Sequence, residues 1–202
     1  MPEMKAGEKK VSEKKVGEKK ARAPEKNLPK TLDVKLLRRF LKLACERLTG
    51  EWALLGGMVL PFLEHSFRVT TDIDFVPLKT AGNDQSLELM KICEELGLPI
   101  ETVNGAASFF LQKISDFRSH LVLIQEGSAK VFRPSVMLFL QLKLARLSES
   151  DLQDCLEILK VKSSELLSPE RRSLMRMIEK LRAASGDREK QIRYDSLRTA
   201  LE

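Results

Sequence analysis

Leu54-Leu55-Gly56-Gly57-Met58, followed by Arg68-Val69-Thr70-Thr71-Asp72-Ile73-Asp74-Phe75-Val76, is the part of this chain whose reading decides its fold. Trp52 to Leu55 is a short apolar run that enters a glycine pair, the pattern of a buried strand feeding a tight turn. Glycines there permit positive φ and close backbone approach. Met58 to His65 reads as a short helix after the turn, and amides at its start would point at whatever sits over them, a natural place for a phosphate. Thr71 to Val76 alternates acidic and apolar residues, a strand pattern. Side chains two apart on a strand face the same way, roughly 7 Å from each other. Asp72 and Asp74 so placed can share one or two divalent ions. Without a cation they repel by about 2 kcal/mol at an effective dielectric of about 20.

Working outward, Val34, Leu37, Leu41, Ala44 and Leu48 recur at helical spacing, with Thr31 as the expected N-cap and Gly50 as the terminator. Asp84 to Leu96 reads as a second helix with Leu87, Met90, Cys93 and Leu96 on one face and Gly97 behind it. Strand-like runs follow at 99–103, 108–114 and 119–125, separated by turn signals at Asn104-Gly105 and Glu126-Gly127-Ser128. From Pro134 the pattern is helical, over roughly 134–147, 149–161, 169–184 and 187–201. The expectation is an α+β fold: a small mixed β-sheet core over residues 31–133 and a C-terminal helical lobe over 134–202.

Residues 7–21 repeat a five-residue unit three times, Gly/Ser-Glu-Lys-Lys-Val/Ala. A period of five matches neither helix nor strand, so residues 1–30 read as a disordered Lys/Glu-rich arm. The arm carries ten Lys or Arg against five Glu, so most of the net charge of +6 belongs to it and the rest is nearly neutral. It is either a solubilising tail or an electrostatic tether to nucleic acid or another acidic surface. The apolar fraction of 43% suffices for a core, which the 5% aromatic share makes one of Leu, Val, Ile and Met. No apolar run reaches the ~18 residues of a membrane span, and no apolar segment follows the basic N-terminus as in a secretory signal. Cys45, Cys93 and Cys155 stand apart without metal-ligand spacing, as small core residues in a reducing compartment would. With only His65 and His120 as imidazoles, a zinc site is not expected, and His65 reads as a helix-end or core histidine.

The glycine turn followed by Arg68-x-Thr70-x-Asp72-x-Asp74 resembles the DNA polymerase beta-like nucleotidyltransferase superfamily. Within it, the chain is most similar to the small bacterial branch that includes the abortive-infection (AbiEii-like) toxins. Pro134, Leu142-Lys143-Leu144, Arg146 and Asp151-Leu152-x-Asp154 resemble that branch's helical signature. The resemblance covers roughly residues 32–160. It implies a nucleotidyltransferase core in which Gly56 and Gly57, with Arg68 and Thr70, contact a nucleoside triphosphate. Asp72 and Asp74 would hold Mg²⁺ or Mn²⁺, while Lys143 and one of Asp151 or Asp154 assist from the helical lobe. The plainer readings stand beside these: a solvated strand face for the aspartates, an exposed or snorkelling lysine, a first-turn acid favoured by the helix dipole at Asp151, and a structural counter-charge at Arg68.

The superfamily usually adds a third carboxylate on a later strand. The strand expected at 119–125 has His120 there, with Asp116 just before it and Glu101 on an earlier run, and none fits well. The resemblance therefore implies either a cytoplasmic Mg²⁺-dependent transferase moving a nucleotide onto a hydroxyl of RNA or protein, as a toxin with an antitoxin partner, or an inactive module that keeps the fold for nucleotide or partner binding.

Overall fold

The computed structural model describes residues 32–63 and 72–202, and everything structural below concerns those residues. The fold is mixed α+β around one five-stranded sheet. Its strands are β1 (Gly50–Leu55), β2 (Ile73–Pro77), β3 (Val103–Asn104), β4 (Leu121–Glu126) and β5 (Ala129–Pro134), in the order β3-β2-β1-β5-β4. β1 runs antiparallel to β2 and parallel to β5, β2 runs parallel to β3, and β4 closes a hairpin with β5.

The helices are α1 (Val34–Arg47), α2 (Asn83–Leu96), the short α3 (Ala107–Leu111), α4 (Val136–Leu144), α5 (Glu149–Lys162), α6 (Ser168–Ala184) and α7 (Arg188–Leu201). A 3₁₀ segment, Gly56–Leu63, follows β1 directly.

β1 is apolar and buried from Trp52 to Leu55 because it is central. Trp52 and Leu54 point into the larger core, which also takes buried side chains from α1, α2, α4, α5, α6 and α7. Ala53 and Leu55 point the other way, into a smaller cluster with Val76, Leu111 and Leu138. Trp52 stacks on Phe75 at 5.1 Å, and Phe75 meets Phe40 of α1 edge-on at 5.3 Å, which clamps α1 to the sheet. The larger core is continuous from α1 to α7, so sheet and helical lobe share one interior. Within the helical lobe, Tyr194 ties α7 to α4, its hydroxyl donating to the Leu144 carbonyl at 2.9 Å.

Several expectations change. The N-cap of α1 is Asp33, whose carboxylate accepts from the Leu36 amide at 2.6 Å; Thr31, the expected cap, lies outside the described residues. Gly50, at φ +79°, starts β1. In α2 the buried residues are Ile92, Cys93 and Leu96, with Leu89 partly buried, while Leu87 and Met90 are exposed. The stretch 99–103 is mostly a 3₁₀ turn and yields only the two-residue β3. Residues 108–114, expected as a strand, hold α3. β5 replaces a stretch with no assignment, its register set by the parallel ladder to β1. The four C-terminal helices fall where their periodicity puts them. All three cysteines are buried free thiols. Among the described residues no helix is long and apolar enough to cross a membrane. The expected arm, residues 1–30, lies outside the described residues.

Candidate functional site

The sheet itself builds the first half of the site. Antiparallel pairing places Asp74 of β2 opposite Leu55, the last residue of β1. Strand alternation then puts Asp74 on the face of Val76 and Leu55, away from the core taken by Ile73 and Phe75. Gly56 follows immediately, at φ +64°, and a Cβ added there would overlap the Asp74 carboxylate. Glycine is thus required twice at this position, by its backbone and by its neighbour.

Asp74 is half-buried, and burial raises its carboxyl above the ordinary range, with the charge of Asp72 adding to the effect. Lys143 and Arg146 act in the opposite direction. Those two cations come from the helical lobe, some seventy residues later in the chain.

The second half of the site is the α4–α5 turn. Lys143 sits in the last turn of α4 and is 8% exposed. Its ammonium donates to Asp151 Oδ1 and Asp154 Oδ2, each at 2.8 Å, and both carboxylates are buried. Burial alone would pull the lysine down, and the two carboxylates outweigh it, so the group stays charged. Arg146 clasps Asp151 in a two-point contact, Nε to Oδ2 at 2.7 Å and Nη2 to Oδ1 at 2.8 Å. Ser148 caps α5 and gives Asp151 Oδ2 two more donors, its amide at 3.1 Å and its hydroxyl at 2.8 Å. The turn is held tightly enough to keep Leu147 at φ +40°, buried, with its carbonyl accepting from Arg193 at 2.8 Å.

This bonding separates roles. Asp151 receives five donors on two oxygens, which have about four lone-pair sites. These donors hold its carboxyl far below the ordinary carboxylate range despite burial. It has no acceptor site left for a metal or a proton, and what it does is fix Lys143 and Arg146. Asp151 does lie in the first turn of α5, as the helix-dipole reading expects, and Lys143 is buried rather than exposed.

The two halves face one cleft of about 190 Å³, whose lining includes Gly56, Asp74, Asn104, Phe110, Lys143, Arg146 and Asp151. Asp154 stands behind Lys143, buried. The strand expected from Thr71 begins only at Ile73, so Asp72 is exposed just before β2 and outside the cleft lining, though near enough to act on Asp74; Gly57 is likewise next to the cleft rather than in its lining. Arg68 and Thr70, together with His65, lie outside the described residues.

His120 and Asp116 belong with β4, at the far edge of the sheet. Three strand spacings of about 4.8 Å put that edge roughly 14 Å from β2. His120 instead faces Glu170, at 3.7 Å. Glu101 is exposed on the turn before β3. The strand beside Asp74 is β3, which places Asn104 opposite it. Asn104, Arg146 and Phe110 are cleft residues that were not singled out for chemistry from the sequence. Arg146 stood in the helical signature, and Asn104 read only as a turn residue.

Among the described residues no group of three or more His, Cys, Asp or Glu converges as a metal-ligand set. Two carboxylates completed by substrate oxygens remain compatible with Mg²⁺, which takes one or two protein carboxylates plus phosphates. The half-buried Asp74 with Asp72 pressing on it is a donor pair that a divalent cation would relieve. Comparison with protein-family models, curated proteins and solved structures gives no match for this chain.

Proposed function

We propose that the chain is a nucleotidyltransferase-type protein that binds a nucleoside triphosphate with Mg²⁺ or Mn²⁺ in the cleft between the sheet and the α4–α5 turn. The observation that carries this reading is the convergence of Asp74, seated against Gly56, with Lys143 and Arg146 across one cleft. A cleft with a metal-binding carboxylate on one wall and, on the other, an Arg146 whose remaining N–H groups are open beside the Asp151-held Lys143 suits a metal-bound polyphosphate.

Asp74 and Asp72 would hold the metal ion, which supplies charge neutralisation and alignment of the triphosphate when bound. Arg146, 67% exposed at its side chain and anchored by Asp151, is free to turn outward-facing N–H groups toward phosphate oxygens. Lys143 sets the potential of the cleft while its ammonium stays on Asp151 and Asp154. In the transferase reading, a hydroxyl of RNA or protein is the acceptor. A toxin role with an antitoxin partner and a cytoplasmic site of action extend the same proposal by resemblance alone.

The experiment is incubation with labelled triphosphates, Mg²⁺ and a cell extract, comparing wild type with Asp74→Ala. Asp74-dependent transfer of label supports the enzyme; equal labelling by both proteins removes it. Asn104 favours a second reading, because the strand position facing Asp74 carries an amide that cannot act as a base. In that reading the cleft binds Mg²⁺ and triphosphate without turnover, and any Asp74-dependent product excludes it. The toxin extension predicts growth arrest on expression, relieved by Asp72→Ala.

A further inference from the structure

Phe109 and Phe110 sit on the five-residue α3, 60% and 41% exposed. Large rings left in water forfeit burial energy, and Phe110 keeps 41% of its surface open. The helix under them is anchored, because Leu111 is buried in the smaller core. Phe110 is also braced sideways: Phe109 meets it edge-on at 5.5 Å, and Phe109 in turn carries the Lys113 ammonium 3.9 Å from its ring centre. Phe110 lines the same cleft as Asp74, Lys143 and Arg146, alongside Ala107 and Leu142. One part of the cleft wall is therefore charged and another is aromatic and aliphatic. A ligand matching both has a polyanionic tail and a flat apolar head.

We propose that Phe110 is the platform on which the base of the bound nucleoside triphosphate stacks, an inference that rests on the triphosphate site proposed above. Every base has a π-face, so such a platform favours larger rings over smaller ones and does not read hydrogen-bonding edges. The cleft therefore takes purine nucleoside triphosphates ahead of pyrimidine ones.

Titration calorimetry of the full chain tests this with three probes in the presence of Mg²⁺: inorganic tripolyphosphate, ATP and UTP. Wild type should bind both nucleotides more tightly than tripolyphosphate, and ATP more tightly than UTP. Phe110→Ala and Phe110→Leu should weaken ATP by about 5- to 150-fold, the range for losing one base–aromatic stack, while tripolyphosphate affinity stays within about twofold because phosphate contacts are untouched. Phe110→Trp should retain or tighten ATP binding. Circular dichroism melting confirms that each variant is folded.

The inference is overturned if Phe110→Ala binds ATP as wild type does, or if a folded Phe110→Ala loses ATP and tripolyphosphate equally. It is overturned, with the triphosphate site left standing, if wild type binds tripolyphosphate and ATP with the same affinity. If wild type binds none of the three probes, the triphosphate site itself fails and the platform goes with it.

Discussion

Gly56 and Asp74 are locked to each other: the carboxylate of Asp74 occupies the space that any side chain at Gly56 would need. The turn after β1 and the acid on β2 are thus one structural unit, although seventeen intervening residues separate them in the chain.

Gly56→Ala therefore displaces the Asp74 carboxylate as well as straining a backbone at φ +64°. The strain should cost about 1–2 kcal/mol in urea unfolding. The displaced carboxylate no longer sits where it would meet the metal, so Mg²⁺-dependent triphosphate binding should weaken, and any transfer rate should fall by about 100-fold. A Gly56→Ala protein that binds as tightly as wild type would mean that Asp74 does not touch the ligand.

Lys143 makes a different demand. Its ammonium is the shared partner of two buried carboxylates, 2.8 Å from each. Lys143→Met leaves Asp154 and part of Asp151 buried without that cation, a situation that costs about 3–5 kcal/mol when a buried pair is broken. Adding Asp154→Leu removes one of the two charges that the ammonium balances, so the double variant should recover at least about 1 kcal/mol in a double-mutant cycle. Additive losses in urea unfolding would show that the two residues are not coupled.

How much of this was legible from sequence follows the range of the interactions. The β1–glycine–β2 unit and the four C-terminal helices declare themselves through local periodicity and turn chemistry. The cleft's cross-chain half does not. Arg146 and Lys143 share a cleft with Asp74 only because the larger core joins sheet and helical lobe, and no local pattern encodes that. The strand beside Asp74 is expected at 99–103 but shrinks to Val103–Asn104, because its parallel pairing with β2, not its own pattern, supplies the register. Residues 108–114 have the paired aromatics and apolar run of a strand, yet Leu111 anchors α3 in the smaller core while Phe109 and Phe110 are exposed. In α2 the choice between Leu87–Met90 and Leu89–Ile92 was a choice of face, which only docking against α1 decides.

Asp151 gives a pH signature. Arg146, Lys143 and Ser148 hold its carboxyl far below its ordinary value of 3.8, so the unfolded chain takes up the proton more readily than the folded one. The stability it contributes is therefore complete above pH of about 4 and drains as the pH falls below that value. Asp151→Asn lacks this linkage. The gap in unfolding free energy between wild type and Asp151→Asn should be widest at pH 7 and should narrow from about pH 4 downward. A gap that stays constant to pH 3 would show that the hydrogen bonds do not depend on the charge.

Asp74 carries the opposite sign. Burial, with Asp72 beside it, raises its carboxyl, so the folded chain binds that proton more readily than the unfolded one and is penalised once the group ionises. This penalty is absent in acid and grows as the pH rises through the ordinary carboxylate range. Asp74→Asn keeps the shape and removes the charge. In buffer containing a chelator at pH 7 it should melt at a temperature equal to or higher than wild type, with the difference vanishing toward pH 3. Adding Mg²⁺ and ATP should then raise the melting temperature of wild type, since a ligand that binds only the folded state stabilises it, and leave Asp74→Asn unmoved. An acid kept for structure would give the reverse pattern, a variant less stable in chelator and just as responsive to Mg²⁺ and ATP. Stability and ligand response moving in opposite directions is what distinguishes a charge retained for binding from one retained for the fold.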